Sequence, residues 1–359
     1  MNNSLRRIDR VFIVVMICIG VAAAALYALS SRSLIPLRAP AIAFIGNPLV
    51  APEICAVAID GSALQRLTST GGSVYDFAVS PDGAAIVYSV HDSDGSSALY
   101  RTDRAGREAQ ILVDCGEARC ETPVWSNDGH YIAYSQIIRV KNKITRGVAV
   151  YSFGEQLPAE WSEKHITGTN PVFSPDSQKL AMSNPEEGFV RVLDLSSGVG
   201  RQIETSTLDP ITWAADSNHI FFTENDATGI LLQSRLFQVD LASMLVEPFM
   251  AAQLSSYDVG GMKITHDGIW AAFALRSGDT QTGRQIYISK MDGSQFQAVT
   301  DEPGTSHTAI QWSPDGTWLV FQEYTPGAAN AVPRVIVWDR VSGEFIVAAE
   351  NGALPAWLP

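Results

Sequence analysis

Six stretches of this chain repeat one another at a spacing that few folds can accommodate. They are FAVSPDGAAIVYS from Phe77, PVWSNDGHYIAYS from Pro123, PVFSPDSQKLAMS from Pro171, ITWAADSNHIFFT from Ile211, MKITHDGIWAAFA from Met262 and IQWSPDGTWLVFQ from Ile310. Each reads as a short strand, a tight turn and a second strand with alternating apolar residues. The turn aspartates Asp82, Asp128, Asp176, Asp216, Asp267 and Asp315 follow one another at intervals of 46, 48, 40, 51 and 48 residues. Three residues before each stands a large apolar residue: Val79, Trp125, Phe173, Trp213, Ile264 or Trp312. Proline fixes φ where such a turn begins, aspartate binds nearby amides, and glycine accepts positive φ. The six aspartates are therefore turn residues and not a metal array. Between the hairpins lie two further strands per unit, as in ALYRTDRAGREAQILV from Ala98 and RVIVWDRVSGEFIVAA from Arg334. Four strands (a to d) at a period in the forties predict an all-β fold, a β-propeller of four-stranded blades.

The two ends of the repeat region set the blade count. Trp357 falls 45 residues after Trp312, in phase with the innermost strands. Ala41-Ile-Ala-Phe-Ile-Gly reads as a strand b without a strand a, and the segment from Ile54 to Thr68 supplies c and d. Shared between the termini, these strands complete a seventh blade and leave no open seam. Six blades, with Trp357 unrelated, is the rival reading.

The S-P-D-G turn after a large apolar residue, followed by I-A-Y-S and later by M-D-G-S, resembles the TolB-type (WD40-like) β-propeller repeat. Ser80-Pro81-Asp82-Gly83, Ser313-Pro314-Asp315-Gly316 and Met291-Asp292-Gly293-Ser294 carry the resemblance best, and it covers nearly all of 41–359. Asn127, Ala214-Ala215 and Thr265-His266 depart from it. The resemblance implies the fold and leaves function open. Members of this group bind proteins in the periplasm, precede peptidase domains or occasionally act as enzymes.

Residues 11–29 form an unbroken apolar run of 19, close to the roughly 20 residues that span a bilayer as a helix. Arg6, Arg7 and Arg10 precede it, and positive charge stays cytoplasmic. The sequence thus predicts a basic tail over 1–10, one transmembrane helix over 11–30, a linker over 31–40 and a propeller over 41–359. That makes a single-pass membrane protein whose propeller is periplasmic or extracellular and monomeric. A cleaved signal peptide ending at Ala28-Leu29-Ser30 is the alternative. Residues 41–359 hold 20 basic and 37 acidic side chains, a balance that repels phosphate backbones and argues against nucleic acid.

Cys115 and Cys120 flank a short loop and could close a disulfide in an oxidising compartment, or remain two thiols. Cys18 lies in the apolar run, and Cys55 reads as a small core residue. With no second cysteine or histidine pair, neither a metal nor another cofactor is expected. No G-x-S-x-G, H-E-x-x-H, P-loop or G-x-G-x-x-G motif stands in a suitable context.

In such a blade the a–b and c–d turns share one face, and the b–c and d–a connections share the other. The a–b turns read as two-residue hairpins of constant length. The opposite face carries long, variable loops, among them His91–Ser97, Ile137–Gly147, Ala159–Asn170 and Ala251–Gly261. Binding belongs on such loops. The candidate binding residues are Asp92 and Asp94, the basic set Arg139, Lys141, Lys143 and Arg146, then Arg276 and Tyr324. Asp92, Asp94 and Ser96 resemble a fragment of a calcium loop but lack its closing acid. The expected function is non-enzymatic binding or scaffolding of an envelope or cell-surface protein through the long-loop face. The alternative is recognition of a polysaccharide or peptidoglycan, with lyase or hydrolase activity possible. An aromatic funnel would favour the glycan, and a flat or protruding face the protein.

Overall fold

A computed structural model describes residues 40–93, 95–140, 143–154, 166–205, 211–226, 233–277, 283–328 and 331–359. The anchor predicted over 11–30 lies outside them. Among the described residues no helix is long and apolar enough to cross a membrane.

The chain forms seven sheets of four antiparallel strands each. Strands a and b of blades 1 to 6 are Val74–Val79 and Ala85–His91, Arg119–Trp125 and Tyr131–Val140, Thr169–Phe173 and Lys179–Asn184, Thr212–Trp213 and His219–Asp226, Tyr257–Ile264 and Trp270–Ser277, and Ser306–Trp312 and Trp318–Tyr324. Blade 7 is the shared one, in the order Gly352–Leu358, Ala41–Gly46, Glu53–Ala58 and Gln65–Arg66. Ala41 pairs with Leu358, Ile42 with Trp357 and Ala43 with Ala356. The count is seven, and the termini close the ring.

Five residues, not two, separate strand a from strand b in all six repeats. The reason is the side-chain chemistry of the turn. In blade 1 the Ser80 hydroxyl donates to Asp82 Oδ1 at 2.6 Å and accepts from the Ala85 amide at 2.9 Å. Asp82 Oδ1 also accepts from the Ala84 amide, and Gly83 takes φ 67°. The same bonds recur at Ser126–Asp128, Ser174–Asp176, Thr265–Asp267 and Ser313–Asp315. Thr265 thus replaces serine without loss. Blade 4, with Ala214 there, substitutes an imidazole: His219 Nδ1 lies 2.6 Å from Asp216 Oδ2.

Neighbouring blades are joined by the residue that ends strand a. The indole N–H of Trp125 donates to Ala78 O, that of Trp213 to Val172 O, that of Trp312 to Lys263 O and that of Trp357 to Gln311 O, at 3.0–3.3 Å. Each acceptor lies on the innermost strand of the preceding blade. Buried indoles need such a partner, and here it also ties blades 2, 4, 6 and 7 to the blade before each. Trp357 packs with Ile42, Phe44, Val57, Val320 and Val337 in one core cluster.

A second join sits at a bulge in strand a. Thr122, Asn170, Ala309 and Leu354 hold left-handed φ of 49–52° where the register slips. A bulge frees a backbone group from the ladder. The Thr122 amide donates to Asp76 Oδ2 at 2.5 Å, the Asn170 amide to Ser135 Oγ at 3.1 Å and the Leu354 amide to Gln322 Oε1 at 3.0 Å. Each acceptor again belongs to the preceding blade.

Candidate functional site

The two faces are distinguishable by their bonding. On the short-turn face the a–b turns of successive blades are linked: Asn127 Nδ2 donates to Pro175 O, the Asp128 amide to Ser177 Oγ and the Asp176 amide to Ser217 Oγ. Strand b of blade 7 starts at Ala41 on this face, opposite Leu358. Arg104, on the c–d turn of blade 1, donates to Gly83 O, Leu358 O and Pro359 O. The chain therefore enters the propeller on the short-turn face.

On the long-loop face, residues 137–140 and 143–147 are strand and not loop, and residues 141 and 142 lie outside the described residues. Strands Tyr131–Val140 and Lys143–Ser152 pair continuously from Tyr131↔Ser152 to Val140↔Lys143. The inner strand of blade 2 flanks this hairpin only as far as Ile137, and the outer strand Ile166–Thr167 flanks only Gly147 and Val148. The β-branched residues Ile137, Ile138, Val140, Ile144 and Thr145 favour continued strand. About three residue pairs project beyond the blade, roughly 10 Å at the usual rise. Of the predicted d–a loop 159–170, residues 159–165 lie outside the described residues, and strands Ile166–Thr167 and Thr169–Phe173 leave Gly168 as the d–a connection. Ala251–Leu254 is a single helical turn, and strand a of blade 5 begins at Tyr257.

Cross-strand pairing assigns the side chains of this arm. Arg139 faces Ile144 across the hairpin, Arg146 faces Ile137, and Arg119 faces Ile137 from the inner strand. Paired residues share a face of the sheet. One face thus carries Arg119, Arg139 and Arg146 with Ile137 and Ile144, and Lys143 lies on the other. Arg139, Lys143 and Ile144 are exposed, and Arg146 Nη1 bonds Glu186 Oε1 of blade 3 at 2.5 Å. Lys141 lies outside the described residues. Arg119 was missed in the sequence because it is remote from the basic run, and only strand pairing brings it alongside.

The other candidates do not join this group. Asp92 is exposed in a tight turn, its amide donating to Ser96 O and its carbonyl accepting from Gly95 N–H. Asp94 lies outside the described residues. Among those described, no three histidine, cysteine or acidic residues cluster as metal ligands. Arg276 and Tyr324 lie on blades 5 and 6, across the ring. Arg276 is held by Asp258, which also binds Arg284 and the Ser234 amide at 2.8–3.0 Å. Burial acts to raise the Asp258 carboxyl, but the Arg284 hydrogen bond, the Ser234 amide and both guanidinium charges hold it below the usual range.

Next to it lies a buried set invisible in the sequence. His307 is 1% exposed; its Nδ1 is 3.0 Å from Arg284 O and its Nε2 is 3.2 Å from Glu323 Oε2. Glu323 Oε1 accepts from Arg334 Nε at 2.9 Å and from Arg334 Nη2. The members come singly from different strands, so no spacing betrays them. In blade 7, Glu53 is 4% exposed and accepts from the Thr68 hydroxyl, the amides of Thr70 to Gly72 and Arg66. These hold its carboxyl below its usual range against the upward pull of burial. Both sets hold loops in place.

Cys115 and Cys120 are joined in a disulfide with Cα atoms 6.2 Å apart. Cys55 is half-buried rather than core, lining a cavity of about 760 Å³ between blades 6 and 7, and burial pushes its thiol up.

No protein-family model matches the chain. A curated relative, the uncharacterized peptidase YuxL of Bacillus subtilis, is 26% identical over 206 residues, which is 55% of this chain and 28% of that protein. The chain thus spans under a third of that relative's length. TolB from Acinetobacter baumannii superposes with a TM-score of 0.54 at 14% identity, covering 94% of this chain and 71% of that one. A puromycin-hydrolyzing peptidase of Mycobacterium tuberculosis gives 0.62 at 17% identity, covering 89% and 54%. At such identities the likeness is one of fold: a seven-bladed propeller like that of TolB and of the peptidases' propeller regions.

Proposed function

We propose that this propeller is a non-enzymatic binding module that recognises a protein partner through its long-loop face, with the blade 2 arm as the principal contact. The observation that carries the reading is the projecting hairpin, which places Arg119, Arg139, Arg146 and two isoleucines on one face of an otherwise acidic domain. A protruding, mixed basic and aliphatic surface suits an acidic protein patch, which it would steer at long range and grip by burial. A pocket for a small ligand has the opposite shape. The reading includes a membrane anchor over 11–30.

The test is capture from envelope extract by the full-length protein. R119E combined with R139E, both exposed on that face, should abolish capture of the principal partner and flatten its salt dependence, while S197A on a c–d turn should leave both unchanged. Equal capture by all three proteins would remove the arm from the interface. The peptidase relatives favour a second reading, in which the propeller serves peptide hydrolysis. Turnover of peptide nitroanilides by the purified chain, above that of buffer, would move the balance to it.

A further inference from the structure

Blades 1 and 2 meet around a charged side chain at a position that elsewhere packs. Where strand c crosses the third residue of strand b, its side chain faces the following blade. That residue is Val150, Val192, Ile288, Val337 or Ala56 in five blades and Gln238 in a sixth. In blade 1 it is Arg101, paired with Val87. Its guanidinium carbon lies 5.8 Å from the centre of the Phe153 ring, and Phe153 stacks on Trp125 at 5.3 Å with 6° between planes.

Arg101 Nε is buried and, among the described residues, has no hydrogen-bond partner. A buried donor left without an acceptor is costly, and valine would fill the position at no such cost. Beside Arg101 a cavity of about 350 Å³ opens on the short-turn face, lined by Trp125, Phe153, Asp82 and Asp128. Its size falls within the roughly 300–1,000 Å³ of small-ligand sites. Asp82 Oδ1 is used by its own turn, whereas Oδ2 takes no hydrogen bond within the described residues.

We infer that this cavity is a subsite for a neutral sugar ring, independent of the long-loop face. The charges decide the class. Two carboxylates outweigh one guanidinium against an anion, while a cation would have to sit beside Arg101, whose charge already offsets that of Asp82. A hydroxyl group both donates and accepts, so a polyol can accept from Arg101 and donate to Asp82 without bringing a charge. The apolar face of a sugar ring gains by burial against Trp125 and Phe153.

Saturation-transfer NMR on the full-length protein tests this with glucose, galactose and N-acetylglucosamine, and with benzoate and benzylamine as charged probes. At least one sugar should bind saturably, and R101M and R101K should each weaken it by about tenfold or more. R101M should melt no lower than the parent, since it restores the apolar residue found at this position in most blades. A sugar that binds R101M as well as the parent, saturation by no sugar below roughly 50 mM, or binding of either charged probe in place of the sugars would each overturn the assignment.

Discussion

Asp76→Asn should remove one component of the pH dependence of folding. Asp76 accepts from the Ser89 hydroxyl and from the Thr122 amide of the next blade. Burial raises its carboxyl from 3.8 to about 6, outweighing both hydrogen bonds, and Glu121 adds to the rise. The folded chain thus binds this proton more tightly than the unfolded chain does. The contribution of Asp76 is fully present below pH 3.8 and is lost as the pH climbs through about 6. A rise of that size corresponds to about 3 kcal/mol at neutral pH. The turn aspartates oppose it: hydrogen bonds from Ser80, Thr265 and Ser313 hold Asp82, Asp267 and Asp315 low, so their stabilisation is lost on acidification. Only the difference between parent and variant isolates Asp76. Asparagine can turn its oxygen to the Thr122 amide and donate its NH2 to Ser89, so both bonds survive. Relative to D76N, the parent should lose about 2.4 kcal/mol between pH 4 and 7. For a domain of this size that is roughly 5–10 °C in melting temperature. Melts of the two proteins at pH 4, 5, 6 and 7, followed by near-ultraviolet circular dichroism, measure it. Parallel profiles would refute the assignment of the raised carboxyl to Asp76.

Two further substitutions probe closure and loop support. W357A removes a 6% exposed indole from the shared-blade core and its bond to Gln311 O; a loss of about 3–5 kcal/mol is expected from denaturant titration, and a loss below about 1 kcal/mol would mean that the termini do not hold the ring. E323Q leaves His307 and Arg334 without their shared carboxylate and should cost about 3 kcal/mol, with faster amide exchange at the start of the strand Arg334–Asp339; unchanged exchange there would separate Glu323 from loop support.

The sequence alone determined the architecture, because a propeller repeats one local solution. The hydroxyl-Asp-Gly turn, the large apolar residue three positions before its aspartate and the alternating strands are short-range features, and the in-phase position of Trp357 was enough to assign the shared blade. The departures at Thr265 and Ala214 left the turn intact, since a threonine hydroxyl or the His219 ring supplies the missing bond. Only the tertiary structure brought the candidate residues together. A basic run that reads as a loop became a paired arm because strand pairing continues wherever both strands can supply it, and Arg119 joined it through register. Arg101 looks like any strand residue until the next blade covers it with Phe153 and leaves its Nε buried. His307, Glu323 and Arg334 are single letters on three strands, brought together because b–c and d–a connections converge at one end of a blade. Turn chemistry acts over five residues and is legible in order. Partners drawn from different blades are set by the closure of the ring, which no local pattern encodes.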